Sequence, residues 1–357
     1  MKATVLGLGE WVPETIRAND EWPAEFGQRK AAAEDRVLAD VTAGRSDDLC
    51  DRIVARNLAA EAGDPFLGTS RRRVADDRMT SAEAETLAAR AALADAKIDG
   101  RDVDVVMAYA AVPDHVSPPT APRVAHAIGA ARAHAPGVHA ACASAIVQLE
   151  LAAALIESGR ARTILLVQSF LMTRVFPLAH PASPNIGDAA TAIVVGASER
   201  PGVRTIHAVT AGEYYDAVLW RRRGEESRWY EPGGQLFLST NDIGAARKLI
   251  QDSVRLGSQT VCELMGRSRI PVQELGVLAS VQPRQWVPAA LAEVLRLPPS
   301  AAPNTFAERA HLGACGVITN LIEARRRGLL KEGTLVALYG QGAGFTRAAA
   351  LLEWGAR

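Results

Sequence analysis

The chain has 357 residues, of which 48% are hydrophobic and 22% are charged, and its 40 basic side chains balance 40 acidic ones. A net charge of zero gives no electrostatic reason to expect a nucleic-acid partner. No apolar run reaches the roughly 18 residues that a membrane-spanning helix needs, and the N-terminus lacks the apolar core of a signal peptide. These features predict a cytoplasmic enzyme without nucleic-acid or membrane partners, large enough for two subdomains.

The four cysteines are scattered along the chain and form no CxxC pair. They are Cys50, Cys142, Cys262 and Cys315. Neither a disulfide framework nor the His and Cys spacing of a zinc site is present, so we expect reduced thiols and no metal.

Strand-like and helix-like segments alternate along the chain, which is typical of a layered α/β fold. In chain order, the pattern predicts a strand at 1–7, a helix at 82–96, a strand at 103–110, a helix at 146–157, a strand at 163–167, a helix at 246–265, a strand at 275–281, a helix opening at 315, and strands at 334–338 and 348–352.

Two pairs of similar segments recur at nearly the same offset. Asp104 and Gly276, at the start of strand-like runs, lie 172 positions apart, and Cys142 and Cys315, at the openings of helices, lie 173 apart. A constant offset indicates an internal duplication with a boundary near residue 200.

Cys142 follows a stretch of small, uncharged residues and comes just before a helix that Gly159 ends. A thiol in the first turn of a helix lies at the positive end of the helix dipole, which favours the thiolate. We therefore expect a nucleophile for covalent acyl chemistry. The alternative is a buried structural cysteine, because cysteine also packs as a small hydrophobic residue.

His311 precedes Cys315 in the turn that the duplication makes equivalent to the turn of Cys142. Equivalent turns of a duplicated α/β unit face each other, so His311 is expected to approach Cys142 from the opposite half. It would then activate the thiol and later take a proton from an acceptor. The alternative is an ordinary core or surface histidine.

Six short motifs in the correct order resemble the ketoacyl-acyl-carrier-protein synthase III family of the thiolase fold. They are Trp11-Val12-Pro13-Glu14 with Asn19, Gly68-Thr69-Ser70-Arg71-Arg72-Arg73, Ala140-Ala141-Cys142-Ala143-Ser144, Gly187-Asp188-Ala189-Ala190-Thr191-Ala192, Gly340-Gln341-Gly342-Ala343-Gly344-Phe345-Thr346 and Glu353-Trp354. The likeness runs over nearly the whole chain.

This resemblance implies an α/β thiolase fold in which two duplicated halves form five layers, α/β/α/β/α. The halves would span 1–200, with the nucleophilic cysteine, and 201–357, with the histidine and a Gly-rich loop. It also implies a homodimer, an acyl thioester of coenzyme A or an acyl carrier protein as donor, and no further cofactor. The backbone N–H groups of Cys142 and Gly344 would form the oxyanion hole, as Gly-rich backbone can approach a reacting carbonyl closely.

The chain departs from the family at the residues that assist decarboxylation. Arg284 stands where condensing members carry the His of Pro-His-Gln-Ala-Asn, and Gly313 or a neighbour stands where they carry an Asn. Arg284 is always charged and cannot act as a base, although its guanidinium could hold a carboxylate or a phosphate. With Gln285 and Cys315 it is our candidate for the pocket.

The His311-Leu312-Gly313-Ala314 stretch and the segment 31–65 resemble a divergent branch from polyketide and antibiotic pathways. Its members move an acyl group, without decarboxylation, to a small-molecule or carrier-bound acceptor. Their histidine opens a His-x-Gly-x-x-Asp stretch, but Gly316 replaces that Asp here. The group that orients His311 therefore stays open among Gln282, Gln285 and Asn320.

We therefore expect an acyltransferase that works through an acyl-Cys142 without decarboxylation. The first alternative is a synthase that forms a carbon–carbon bond, and the second is a non-catalytic partner subunit of another synthase.

Five aromatic residues between Tyr214 and Tyr230 are a candidate for the acceptor pocket. The basic residues between 221 and 228 are a candidate contact for an acidic carrier protein, and the alternative for them is a solvated loop.

Overall fold

The computed structural model describes residues 1–27, 48–222 and 236–356. Two of the expectations above therefore fall partly outside the described residues. They are the part of the 31–65 segment up to residue 47, and the aromatic and basic residues between 223 and 230.

Two four-stranded sheets form the framework of the fold. In chain order the strands are β1 Lys2–Trp11, β2 Ile16–Ala18, β3 Arg71–Arg73, β4 Val105–Ala110, β5 Thr163–Leu171, β6 Asp188–Ser198, β7 Val203–Thr210, β8 Leu219–Arg222, β9 Leu236–Ser239, β10 Val277–Ser280, β11 Leu335–Gly342 and β12 Thr346–Glu353. The first sheet has the order β1-β6-β5-β4 and the second β7-β12-β11-β10, while β2 pairs with β3 and β8 with β9.

The two sheets repeat one topology. In each, two neighbouring strands are parallel, β4 with β5 and β10 with β11, and the other two pairings are antiparallel. The duplication predicted from the constant offset is confirmed. The first sheet draws its strands from before residue 200 and the second from after it. A division into halves at that residue stays our proposal, which this assignment supports.

The helices are interspersed among the strands. They are α1 Leu49–Glu61, α2 Ser81–Ala96, α3 Ala121–Ala127, α4 Ser144–Glu157, α5 Ile243–Ser268, α6 Val287–Val294, α7 Phe306–Arg309 and α8 Cys315–Arg326. The start of α2 shows why the sequence folds this way. The hydroxyl of Thr80 accepts from the backbone N–H of Glu83, and the Glu83 carboxylate accepts from that of Thr80. Lys97 then ends the helix in a left-handed conformation.

Five layers follow from the helix packing. Helices α4 and α8 lie between the two sheets and contact both, α2 covers the outer face of the first sheet, and α5 and α6 cover the outer face of the second. The largest apolar core lies in the middle layer, where Ile146, Leu149 and Ile318 are fully buried. This α/β/α/β/α arrangement is the expected one. Among the described residues, no helix combines the length and apolarity that a membrane crossing requires.

Candidate active site

Cys142 lies in a short 3-10 turn, Ala141–Ala143, directly before α4. The residue before it, Ala141, has a φ of 48°, in the left-handed region that residues with a side chain rarely adopt. The hydroxyl of Ser144 stabilises this turn, because it donates to the carbonyl of Ala141 at 2.6 Å and accepts from the N–H of Ala140 at 2.9 Å. The turn is thereby held in a strained conformation around the thiol.

His311 is anchored by backbone and ring. Its N–H donates to the carbonyl of Asn185 at 2.9 Å. On the ring, Nδ1 lies 2.8 Å from the carbonyl oxygen of Gln282, and Nε2 lies 3.8 Å from Sγ of Cys142. A carbonyl oxygen only accepts, so Nδ1 carries the proton and Nε2 presents its lone pair to the thiol. The arrangement can move a proton between sulfur and imidazole.

Gly313 allows the loop after His311 to pass over Phe170. The ring of Phe170 packs edge-to-face on His311, with ring centroids 5.4 Å apart. A Cβ atom on Gly313 would overlap this ring, and the residue has a φ of 53°. The glycine two positions after His311 therefore serves the packing of the imidazole.

Burial makes both partners of this pair neutral. Withdrawal from solvent raises the pKa of Cys142 to about 12 and lowers the pKa of His311 to about 4, because a low-dielectric site disfavours both charged forms. The expected thiolate is therefore not the favoured form in this state, because burial raises the pKa of Cys142 more than its backbone hydrogen bond lowers it. At neutral pH the pair consists of a thiol and a neutral imidazole.

The thiol and the imidazole open into a cavity of about 300 Å³ with mostly apolar walls. Its larger apolar residues are Leu249, Ile250, Trp286, Val287 and Phe345. Tyr214, from the aromatic stretch singled out in the sequence, also lines it. A cavity of this size and character suits a small acyl chain.

Strand β11 runs against the turn of Cys142. A Cβ atom on Gly342 would overlap the carbonyl oxygen of Ala140 and lie 2.9 Å from the backbone nitrogen of Cys142. The expected Gly-rich loop is thus partly strand, because residues 340–342 belong to β11. Gly344 follows with a φ of 101° and lines the same cavity as Cys142. The oxyanion role of the N–H groups of Cys142 and Gly344 stays a prediction.

Of the three pocket candidates, the structure places Arg284 on the described wall of the cavity. Its Nη1 lies 2.7 Å from Oε2 of Glu61, so its charge is already paired. Gln285 and Cys315 are absent from that wall. The carbonyl of Gln285 accepts from Asn304, and the fully buried Cys315 turns its Sγ to the carbonyl of Gln168 at 3.4 Å.

Sequence reasoning missed three contributors to the site. The group that orients His311 is the backbone carbonyl of Gln282, whereas a side chain was expected. The Ser144 hydroxyl and the Phe170 ring were not anticipated either. The Ser two positions after the cysteine was a usable signal, since serine near a helix start often bonds to local backbone. Within the described ranges, no group of three or more His, Cys, Asp or Glu side chains could hold a metal.

Comparisons with known proteins agree with this geometry. The family model described as 3-oxoacyl-[acyl-carrier-protein (ACP)] synthase III matches residues 137–212, which contain Cys142. The model of the C-terminal part of the same family matches residues 265–354, which contain His311 and Gly344. A curated relative, the beta-ketoacyl-[acyl-carrier-protein] synthase III of Bordetella petrii, is 26% identical over 96% of this chain and 95% of its own length.

Solved structures show the same fold. The 3-oxoacyl-(acyl carrier protein) synthase III of Pseudomonas aeruginosa superimposes with a TM-score of 0.77 at 24% identity, over 99% of this chain and 98% of that one. The priming beta-ketosynthase of the R1128 polyketide biosynthetic pathway gives a TM-score of 0.78 at 24% identity, over 100% and 97%. The two family models match on either side of the cavity, and together with the curated relative they show that the chain is similar, over most of its length, to the 3-oxoacyl-[acyl-carrier-protein] synthase III family.

Proposed function

We propose that this protein is an acyltransferase of secondary, polyketide-type metabolism that moves an acyl group through an acyl-Cys142 without decarboxylation. One observation carries the proposal. Among the described residues that line the cavity, His311 is the one histidine and there is no asparagine. The position at which condensing members carry a second histidine holds Arg284, paired with Glu61. On this described wall His311 is thus the one proton acceptor beside the thiol, and the His and Asn pair that stabilises an enolate is missing from it.

The first half-reaction forms the acyl-enzyme. Sγ of Cys142 attacks the thioester carbonyl while Nε2 of His311 takes the thiol proton. The N–H groups of Cys142 and Gly344 stabilise the tetrahedral oxyanion, an interaction worth a few kcal/mol in a dry site. The carbon–sulfur bond of the donor then breaks, and His311 returns its proton to the leaving thiolate.

The second half-reaction transfers the acyl group. A hydroxyl, amine or thiol of a small-molecule or carrier-bound acceptor loses its proton to Nε2 of His311 as it attacks the acyl-cysteine. The thiolate of Cys142 leaves and recovers that proton from His311. The cavity walls around Leu249 and Trp286 would hold the acyl chain by apolar contact.

The donor follows from the family. The relatives are named for an acyl-carrier protein, so we propose a thioester of a carrier protein or coenzyme A as the donor. We also propose a homodimer as the working form. The neighbour from the R1128 pathway is a priming ketosynthase of polyketide biosynthesis, which supports the assignment to polyketide chemistry.

A carbon–carbon bond-forming synthase is the competing proposal, because the relatives are named as synthases. Such a synthase could dispense with the missing His and Asn if its acceptor were already nucleophilic. Product analysis separates the two, since a condensation product holds a new carbon–carbon bond and a transfer product an ester, amide or thioester.

Intact-protein mass spectrometry after mixing the protein with a panel of acyl thioesters, malonyl included, tests the proposal. We expect a covalent adduct that Cys142→Ala abolishes, with a mass that identifies the donor. A malonyl adduct that keeps its carboxylate supports transfer without decarboxylation, and one that loses carbon dioxide contradicts it. No adduct from any coenzyme A or carrier-bound donor would favour a non-catalytic partner subunit.

A further inference from the structure

The segment that carries the Gln282 carbonyl leaves the second sheet just before it reaches His311. Strand β10 ends at Ser280, and the last ladder-like bond is from the N–H of Val281 to the carbonyl of Tyr339 at 2.8 Å. Pro283 has no N–H to donate. The sheet therefore does not fix the position of the carbonyl of Gln282, and another device must do so.

Buried side chains supply that device. The side chain of Gln282, which is 2% exposed, donates from Nε2 to Oδ1 of Asn304 at 2.6 Å. Its Oε1 accepts from the hydroxyl of Thr305 at 3.0 Å. The nitrogen and the oxygen of this amide are thus both bonded, which fixes the side chain of the residue whose backbone carbonyl faces His311.

Two asparagine side chains hold the backbone on both sides of Gln282. Nδ2 of Asn320 donates to the carbonyl of Ser280 at 2.9 Å, and Nδ2 of Asn304 donates to the carbonyl of Gln285 at 2.6 Å. The Thr305 hydroxyl links the two parts, because it lies 3.0 Å from Oδ1 of Asn320 as well as from Gln282. Its single proton serves one of these oxygens at a time.

We propose that this network of Gln282, Asn304, Thr305 and Asn320 is the positioning device for His311 and replaces the missing aspartate by aiming a neutral backbone carbonyl at Nδ1. The inference rests on the proposed role of His311 as base. Its members touch neither the thiol nor the cavity, so they are positioning residues. At metal-binding histidines, the groups that orient the ring typically contribute 10- to 100-fold to affinity or activity, and we expect an effect of the same size here.

A neutral acceptor has a consequence that a carboxylate would not have. A carboxylate beside Nδ1 stabilises the imidazolium, whereas a carbonyl fixes the tautomer with little stabilisation of the charge. Burial lowers the pKa of His311 to about 4, and the bond to the Gln282 carbonyl offsets this lowering only in part, so the imidazole stays a free base down to low pH.

Thr305→Val tests the device, because it keeps the shape of the side chain and removes the hydroxyl that joins the two parts of the network. Thr305→Ser restores the hydroxyl and serves as the rescue. Thr319→Val is the matched control. Thr319 is fully buried, and its hydroxyl has no hydrogen-bond partner among the described residues.

The first readout is independent of activity. NMR of ring-nitrogen-labelled histidine, with His311→Gln for assignment, should show Nδ1 protonated and Nε2 unprotonated in the wild type, Thr305→Ser and Thr319→Val. Thr305→Val should show a mixture of tautomers. A single unchanged tautomer in Thr305→Val, or a protonated Nε2 in the neutral wild type, would overturn the inference.

The second readout is the rate of acyl transfer. We expect kcat to fall 10- to 100-fold in Thr305→Val with little change in KM for the donor, and to recover in Thr305→Ser. Equal losses in Thr305→Val and Thr319→Val would point to general destabilisation and contradict the inference. If the wild type forms no acyl-enzyme, the proposed function fails while the NMR result still decides the inference.

Discussion

Sγ of Cys142 lies 3.8 Å from Nε2 of His311, and the solvent-poor site keeps both groups uncharged. A resting thiolate–imidazolium pair would need the opposite shifts of both pKa values. Cys142 is thus a neutral thiol in the resting state, and His311 must take the thiol proton while the sulfur attacks. This distinguishes the site from one in which a preformed thiolate reacts with any electrophile.

Alkylation of Cys142 should accordingly be slow at neutral pH. Because the pKa of its thiol is about 12, we expect its rate with iodoacetamide to rise about tenfold per pH unit up to pH 10, without an inflection near neutrality. Cys262, which is exposed, should be labelled first at pH 7.5. Peptide mass spectrometry resolves the two sites. An inflection of the Cys142 rate between pH 5 and 7 would indicate an ion pair and contradict the prediction.

His311→Ala should slow both half-reactions. The thiol needs a base for acylation, and the acceptor needs one for transfer, so we expect each rate to fall about 10²- to 10⁴-fold. Rapid-quench mass spectrometry measures acylation, and single-turnover release of a preformed acyl-enzyme measures transfer. His134→Ala, at an exposed histidine, is the control. Wild-type transfer rates in His311→Ala would remove the role assigned to this residue.

The order of strands and helices could be predicted from the sequence, because apolar runs and alanine-rich helices repeat at a fixed offset. The encounter of Cys142 with His311 could be expected from the same offset. The role of the Gln282 carbonyl in orienting His311 could not be expected, because every residue has a backbone carbonyl and no residue type marks this one. The uncharged state of the thiol could not be predicted from the sequence either, because it depends on how much solvent the surrounding loops exclude. The burial of Cys315 likewise depends on which face of α8 packs against β5 and β6, where the carbonyls of Gln168 and Ala189 lie near its Sγ.

Gly342→Ala should disrupt the nucleophile turn. The new methyl group would overlap the carbonyl oxygen of Ala140, so β11 or the turn must move, at a cost of about 1–3 kcal/mol. We expect a lower midpoint of urea unfolding and a loss of acyl-enzyme formation larger than the loss of folded protein. Gly316→Ala is the matched control, because the nearest atom to its Cβ would be Cβ of Leu312 at 4.0 Å. That variant should be at least as stable as the wild type, since alanine favours a helix.

Glu85→Gln should change how stability depends on pH. Glu85 faces the first sheet from α2, where the hydroxyl of Ser169 lies 2.7 Å from its Oε1, and burial raises its pKa to about 8. A carboxyl whose pKa is higher in the folded than in the unfolded chain stabilises the fold fully below the unfolded pKa of about 4.5, and that stabilisation is lost as the pH rises through 8.

Glutamine does not titrate, so the variant lacks this dependence. From pH 5 to pH 8, the stability of the wild type relative to Glu85→Gln should therefore fall, by at most about 5 kcal/mol for this shift. Urea unfolding of both proteins at pH 5, 7 and 9 measures the difference, and other titrating groups cancel in the comparison. A difference that stays constant over this range would mean that Glu85 is ionised in the folded chain. The carboxyl would then carry a charge between α2 and the first sheet, at a site with no cationic partner among the described contacts.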